Sequence, residues 1–131
     1  MLLLRGVTKV FNRGSVNEKT ALDGIDLQVN RGDFVTIIGS NGAGKSTLLN
    51  AIAGMWPLDR GQIILDGEDI TGTPDYRRAG LIGRVFQDPM VGTAASMTIE
   101  ENLALAAKRG QRRGLKIGLS KALRSRIREE L

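Results

Sequence analysis

The chain has 131 residues, 41% of them hydrophobic and 25% charged, a balance typical of a soluble globular domain with one core. It has no cysteine and no histidine, which excludes disulfides, thiolate metal sites and a histidine general base. No apolar run reaches transmembrane length, and the apolar start is too short for a signal peptide, so we expect a cytoplasmic protein.

The net charge of +5 is concentrated near the C-terminus. Residues 1–107 carry ten basic and twelve acidic side chains, whereas residues 108–131 carry nine basic and two acidic ones. The high isoelectric point is therefore a property of the C-terminal segment. It does not indicate that the whole chain binds nucleic acid.

Two strands are predicted at the start of the chain. Residues 2–11 are rich in apolar side chains, and a polar, glycine-containing connection at 12–19 separates them from the partly alternating residues 20–29. This order predicts an antiparallel β-region. Its first candidate core contacts are Leu4, Val7 and Val10.

Residues 39–46 read Gly-Ser-Asn-Gly-Ala-Gly-Lys-Ser, the pattern of a phosphate-binding loop. The β-branched run 34–38 before it predicts a buried strand. Residues 46–53 after it predict a helix, because Leu48, Leu49, Ile52 and Ala53 have helical spacing. The alternative is a glycine-rich turn that contains a lysine by chance. The predicted strand before the loop and the predicted helix after it argue against this alternative.

Each part of the loop has a chemical task. The glycines allow the backbone to curl around an anion, while the amides and the helix N-terminus point toward phosphate oxygens. Lys45 is expected to reach the β- and γ-phosphates, and the Ser46 hydroxyl to ligate Mg²⁺. The candidate phosphate contacts are Gly39, Ser40, Asn41, Gly42, Ala43, Gly44, Lys45 and Ser46.

Beyond the loop, alternating short elements are predicted. The first helix ends near Gly54, and the run 62–65 predicts a strand closed by the turn Asp66-Gly67. One helical turn is expected at 75–79, and a buried strand at 81–86.

Two helices are predicted in the C-terminal third. Thr98 and Glu101 fit a capping box, with a helix continuing to about Lys108. From about Leu119, a last amphipathic helix places apolar residues on one face, and the chain has no obvious partner for that face. These residues are Leu119, Leu123, Ile127 and Leu131.

Several segments together carry a resemblance to a known family. They are the phosphate loop, Ala21-Leu-Asp-Gly-Ile-Asp-Leu27, Asp66-Gly-Glu-Asp-Ile70, Val85-Phe-Gln-Asp-Pro89 and Met97-Thr-Ile-Glu-Glu-Asn-Leu103. From Leu2 to about Leu105 the chain closely resembles the N-terminal half of an ABC transporter ATP-binding subunit.

The resemblance implies an α/β fold. It would be an ABC-type P-loop NTPase core with an N-terminal antiparallel β-subdomain, spanning residues 1–89, followed by a partial helical subdomain at 90–131. It also implies ATP and Mg²⁺ as cofactors, and a transmembrane permease subunit and a second ATP-binding subunit as partners. The protein would then lie on the inner face of the cell membrane.

The resemblance also assigns residue roles. Phe11 would stack on adenine, although a phenylalanine at a strand end can equally be a packing residue. Thr47 would lie beside the α-phosphate. Gln87 would contact Mg²⁺ or the attacking water and would sense the permease, whereas outside this pattern it would be an ordinary solvated residue. Lys45 and Gln87 are thus the candidate catalytic residues, and Ser46 and Gln87 the candidate metal ligands.

Three elements of the family pattern do not occur in these 131 residues. They are an apolar strand ending in Asp-Glu, the signature Leu-Ser-Gly-Gly-Gln and a switch histidine. Glu100-Glu101 and Glu129-Glu130 belong to predicted helices and do not replace the first. We therefore expect the front half of a nucleotide-binding domain that binds Mg-ATP and hydrolyses it negligibly.

Three other functions remain open from the residues. The chain could be a non-catalytic nucleotide-binding or interaction fragment. It could be a nucleic-acid-associated P-loop protein, as the basic C-terminal segment suggests, although that segment has no aromatic residue for base stacking. A GTPase is disfavoured because no Asn-Lys-x-Asp-like segment is present.

Overall fold

The computed structural model describes residues 1–110 and 120–130. They form two compact units, residues 1–78 and residues 79–131, and each is described by itself. The boundary between subdomains inferred at residue 89 stays a prediction.

The first unit contains a four-stranded antiparallel sheet with the strand order β2-β1-β3-β4. Strand β1 pairs with β2 from Leu2↔Val29 to Phe11↔Lys19, and with β3 on its other side. The predicted antiparallel β-region is confirmed, since short connections allow neighbouring segments to pair directly. The strands are β1 (Leu2–Phe11), β2 (Lys19–Val29), β3 (Arg60–Leu65) and β4 (Glu68–Asp69).

Apolar side chains from the two central strands form the core of the sheet. Leu4 and Val7 are completely buried, as predicted, whereas Val10 is only half-buried. Ile63 of β3 is also fully buried, as is Ile70, which directly follows the edge strand β4. This core holds β1 in place, and thereby the strand end at Phe11.

Helix α1 (Lys45–Ile52) follows the glycine loop directly and packs against β2. Leu48 and Ala51 are buried, whereas Leu49 is exposed. The helix predicted at residues 46–53 is thus present, and it buries one of its two adjacent leucines. The helix turns about 100° per residue, so adjacent leucines cannot both lie at the centre of one narrow contact.

Arg78 links the end of α1 to the segment after the sheet. It is the last residue of the short helix α2 (Asp75–Arg78), and only 3% of its surface is exposed. Its guanidinium group donates to the carbonyl oxygens of Ala51 and Ile52, both at 2.9 Å, and to those of Thr71 and Thr73 at 2.8 and 2.7 Å. Burial lowers the pKa of Arg78, an effect that Asp69 partly opposes, but an arginine remains charged at neutral pH.

The runs 34–38 and 81–86 are not strands, which corrects the sequence prediction for both. Phe34 is 95% exposed and Val85 is 97% exposed, so neither run is a buried core segment. A strand needs a backbone partner, and parallel strands need neighbours that cover both faces. Within the described residues, no strand pairs with either run.

The second unit contains a 3₁₀ turn (Pro89–Gly92), helix α3 (Ile99–Ala107) and helix α4 (Lys121–Glu130). The predicted capping box is confirmed, because Thr98 accepts from the Glu101 amide while the Glu101 carboxylate accepts from the Thr98 amide. These bonds lower the pKa of Glu101, the Thr98 amide having the largest effect.

The apolar face of the last helix has a partner in this unit, contrary to the prediction. Helices α3 and α4 pack together, with Ala104 and Ile127 buried, and Arg124 pairs with Glu100 at 3.3 Å. Two other predicted residues of that face, Leu119 and Leu131, lie outside the described residues.

Candidate nucleotide-binding site

The glycine loop at residues 39–44 curves back on itself before α1 begins. Gly42 and Gly44 have φ angles of +82° and +83°, in the left-handed region that side chains disfavour. The Ala43 amide donates to the Ser40 carbonyl at 3.2 Å, which closes a tight turn within the loop. The pattern of glycines in the sequence is thus used by the backbone to form a cradle.

Gly44 is required for a second reason, because strand β2 approaches its backbone closely. A Cβ atom on Gly44 would lie 2.4 Å from the Ala21 carbonyl oxygen and 3.4 Å from the Leu22 side chain. No side chain fits at that position without a shift of β2. The paired sheet therefore sets the position of the loop.

Lys45 reaches back across the loop. Its Nζ donates to the carbonyl oxygens of Gly39 at 2.6 Å and Ser40 at 2.7 Å. An ammonium group has three donors, so these bonds leave one for a ligand while the loop is closed on itself. These two bonds hold the positive charge of Lys45 against the carbonyl groups at the start of the loop.

The N-terminus of α1 has no side-chain cap. The first helical hydrogen bond runs from the Leu48 amide to the Gly44 carbonyl at 2.8 Å, so the amides of the first turn have no partner within the helix. Such amides and the positive end of the helix dipole together attract an anion. The exposed Ser46 and the half-buried Thr47 belong to this same turn.

Phe11 lies at the end of β1 and is half-buried. Its ring makes an edge-to-face contact with Trp56, with centroids 5.5 Å apart and planes at 87°, and Lys9 Nζ lies 5.4 Å from the Phe11 centroid. The ring therefore has a packing role with Trp56. The proposed stacking of Phe11 on adenine stays a prediction.

Asp59 anchors the strand end that carries Phe11. Its carboxylate accepts from the Val10 amide at 2.8 Å and pairs with Lys9 at 3.6 Å and Arg13 at 3.8 Å. The Val10 amide makes the largest contribution to lowering the pKa of Asp59, followed by the two cations. The end of β1 is thus tied to the start of β3.

Gln87 belongs to the second unit and has an exposed side chain. The adjacent Asp88 begins the 3₁₀ turn by accepting from the Met90 amide at 2.9 Å. The loop residues 39–47 and Phe11 both belong to the first unit. The catalytic and metal roles of Gln87 stay predictions.

Comparison with known proteins adds independent findings. A model of the ABC transporter family matches residues 22–130, which is most of the chain. The chain belongs to the ABC transporter family. It is 44% identical over 116 residues to the tyrosine transport ATP-binding protein of Clostridioides difficile, a match that covers 88% of this chain and 46% of that protein.

Two further relatives show the range of this family. The lipoprotein-releasing system ATP-binding protein of Roseobacter denitrificans is 37% identical over 91 residues, covering 66% of this chain and 40% of that protein. A solved dimeric ATP-binding cassette, in a post-hydrolysis state bound to ADP and Pi, matches with a TM-score of 0.78 at 28% identity. That match covers 98% of this chain and 55% of the cassette. The chain thus spans about half the length of these relatives, and its α/β fold is that of an ABC cassette.

The ABC family implies Mg²⁺ beside the nucleotide, and the residues of the loop fit that role. Mg²⁺ is usually held by one or two protein ligands, water and phosphate oxygens. The exposed Ser46 hydroxyl in the first turn of α1 supplies one suitable oxygen. Residues 1–110 and 120–130 contain no group of three or more acidic side chains that could hold the ion alone. Water and phosphate oxygens would supply the other ligands.

Within the part of the chain that the structure describes, no helix is long and apolar enough to cross a lipid bilayer.

Sequence reasoning missed two side chains near this site. Lys19 Nζ lies 3.5 Å from the position that a Cβ on Gly42 would take, and Arg78 binds the last carbonyls of α1. Neither belongs to a local motif. Strand register places Lys19 beside Phe11, and this could be inferred only once β1 and β2 were paired residue by residue.

Proposed function

We propose that the chain binds Mg-ATP at the loop 39–47 and acts as the ATP-binding component of an ABC transporter. The observation that carries this proposal is the cradle itself. The loop contains Gly42 and Gly44, whose backbones have positive φ angles, and it leads into the uncapped N-terminus of α1. The Lys45 ammonium group folds back onto the same loop. This arrangement suits the negative charge of a polyphosphate.

The roles of the loop residues follow from their positions. The Lys45 ammonium would bind the β- and γ-phosphates, exchanging at least one of its two carbonyl contacts for a phosphate oxygen. The amides of the first turn of α1 would bind phosphate oxygens, and Thr47 would lie beside the α-phosphate. Ser46 would hold Mg²⁺ together with the phosphates, and the ion would offset their charge.

The family pattern assigns further roles to Phe11 of the first unit and Gln87 of the second. Phe11 would bind adenine on the part of its ring that is not packed on Trp56. Gln87 would contact Mg²⁺ or the attacking water. Its exposed amide has both a donor and an acceptor for these contacts.

Hydrolysis by these 131 residues should be negligible. Phosphoryl transfer needs a group that orients and polarises the attacking water, and no apolar strand ending in Asp-Glu is present to supply a glutamate. We therefore expect the chain to bind Mg-ATP without hydrolysing it at a measurable rate.

The proposed partners are a transmembrane permease subunit and a second ATP-binding subunit, with the protein peripheral to the inner face of the membrane. The dimeric state of the solved cassette and the transport roles named for the relatives support this proposal. The relatives include both a tyrosine transport protein and a lipoprotein-releasing one, so the direction of transport stays open.

Nucleotide binding by titration calorimetry tests the proposal. The unmodified chain should bind ATP in the presence of Mg²⁺, and Lys45→Ala should weaken binding by roughly 10- to 100-fold, because a charge-assisted phosphate contact contributes about 1.5 to 3 kcal/mol. Lys121→Ala, which removes a lysine from α4, is the control and should bind as the unmodified chain does. No detectable ATP binding by the folded chain would refute the proposed function.

A second titration separates the adenine contact from the phosphate contacts. Phe11→Ala should weaken ATP binding by roughly 5- to 150-fold, since base stacking on an aromatic contributes about 1 to 3 kcal/mol. It should leave the binding of inorganic tripolyphosphate unchanged. An equal loss for both ligands would mean that Phe11 supports the loop through packing rather than by stacking on adenine.

Phosphate release in the presence of Mg-ATP tests the expected lack of turnover. The rate should not exceed that of Lys45→Ala. A clear rate that depends on Lys45 would show that these 131 residues suffice for hydrolysis.

A further inference from the structure

A second ammonium group lies against the phosphate loop from strand β2. Lys19 is the first residue of β2, and its Nζ is 3.5 Å from the point where a Cβ on Gly42 would be. Because Gly42 has no side chain and a left-handed backbone, the ammonium can approach the loop itself. Lys45 binds the opposite arm of the same loop through Gly39 and Ser40.

The two lysines and the helix N-terminus bring positive charge together without a balancing anion. Within residues 1–110 and 120–130, no carboxylate pairs with Lys19 or Lys45, although other cations of the same unit, such as Lys9 and Arg31, do pair with carboxylates. Like charges near one loop repel each other unless an anion lies between them. The arrangement is therefore suited to a ligand with several negative charges.

The register of β1 and β2 places Lys19 next to Phe11, the proposed adenine contact. Lys19 pairs directly with Phe11, and side chains of directly paired residues lie on the same face of a sheet, with Cβ atoms about 4.5 to 5.5 Å apart. The Lys19 side chain thus starts next to the Cβ atom of Phe11, and its ammonium group ends at the glycine loop. One side chain thus spans from the proposed base contact toward the phosphates.

We propose that Lys19 is a second phosphate-binding cation of the nucleotide site, contacting a phosphate oxygen on the Gly42 side of the loop. The assignment rests on the proposed function, because it needs a polyphosphate bound at residues 39–47. Lys45 uses two of its three donors to hold the loop closed, and Lys19 has no such task among the described residues. Lys19 can donate to the ligand without opening the loop.

The test compares three ligands with the complete 131-residue chain. Lys19→Met keeps the apolar stem and removes the charge. It should weaken the binding of ATP and of inorganic tripolyphosphate by the same factor, roughly 3- to 10-fold, as expected for an exposed, charge-assisted contact. Adenosine binding should not change, and the loss should shrink as salt is raised, because exposed charges are screened. Lys19→Arg should restore binding.

Arg5→Gln is the matched control. It removes one positive charge from β1, six residues and about 20 Å along the strand from Phe11. If Arg5→Gln weakens ATP binding as much as Lys19→Met does, only the net charge matters and the assignment is wrong. The same conclusion follows if Lys19→Met and Lys19→Gln, both folded by circular dichroism, bind ATP and tripolyphosphate like the unmodified chain.

The outcomes also distinguish this assignment from the function on which it rests. Lys45-dependent ATP binding that is unaffected by Lys19 would overturn the assignment alone. An absence of ATP binding by the folded, unmodified chain would overturn both.

Discussion

Two kinds of apolar segment in this chain have similar compositions, but only one kind forms paired strands. Strands β1 and β3 pair in an antiparallel sheet and bury Leu4 and Ile63 completely, whereas the runs 34–38 and 81–86 stay unpaired. Both kinds are rich in β-branched and aliphatic residues. Composition therefore shows which segments can become strands, and an available backbone partner decides which of them do.

The difference follows from how the partners are supplied. An antiparallel neighbour can follow after a short connection, as β2 follows β1 across residues 12–18. Parallel neighbours need a long crossover and cover on both faces before their hydrogen bonds contribute. The strands of the antiparallel sheet thus find their partners within residues 2–69, and this sheet positions the glycine loop through Gly44 and Ala21.

The largest expected effect comes from making the same substitution in both kinds of segment. Ile63→Ala should lower the free energy of unfolding by about 2 to 5 kcal/mol, because it leaves a cavity at a fully buried position. Ile38→Ala should change it by less than about 0.5 kcal/mol, since Ile38 is 90% exposed. Chemical denaturation measures both, and equal losses would mean that residues 34–38 are a packed strand after all.

Arg78 tests how the loop helix is joined to the rest of its unit. Arg78→Met should lower the free energy of unfolding by about 2 to 3 kcal/mol, because it leaves buried carbonyls at the end of α1 without donors. Arg78→Lys should recover only part of the lost stability, since one ammonium group cannot reach all the carbonyl oxygens that the planar guanidinium group binds. Denaturation of the exposed neighbour variant Arg77→Met is the control, and a similar loss there would remove the special role of Arg78.

Helix α3 supplies the contrasting case of an element stabilised by local bonds. Thr98→Ala removes the acceptor for the Glu101 amide and should cost about 1 kcal/mol, seen as a lower denaturation midpoint and faster amide exchange in the first turn. Ser125→Ala on the exposed side of α4 should not lower the stability. Unchanged exchange in Thr98→Ala would show that packing on α4, rather than the cap, holds this helix end.

The smallest effect concerns pH. The pKa of Asp59 is lowered below its ordinary value of 3.8, so its stabilising contribution is fully present above that value and is lost as pH falls through the lowered pKa. Denaturation between pH 5 and pH 2.5 should therefore show a loss of stability that is reduced in Asp59→Asn. A pH dependence that is identical in the variant would mean that the Val10, Lys9 and Arg13 contacts do not persist in solution.

Much of the candidate site could be predicted because it depends on neighbouring residues. The loop 39–46, the helix that follows it and the capping box of α3 each combine a few adjacent residues with one backbone requirement, such as a left-handed glycine or a free amide. The segments around Gln87 and residues 97–103 likewise sufficed for the ABC family. The same reasoning failed for the runs 34–38 and 81–86, because an apolar run does not itself specify a partner.

By itself, the sequence determined the family, through several separate motifs. It also determined the glycine loop, the helix that follows it and the antiparallel hairpin of β1 and β2, since these depend on residues close along the chain. Only the tertiary structure decided that Arg78 closes the end of α1, that Lys19 reaches Gly42, and that two apolar runs stay exposed. The physical reason is that these features depend on strand register and on partners distant along the chain, and the spacing of residues in one segment carries no information about either.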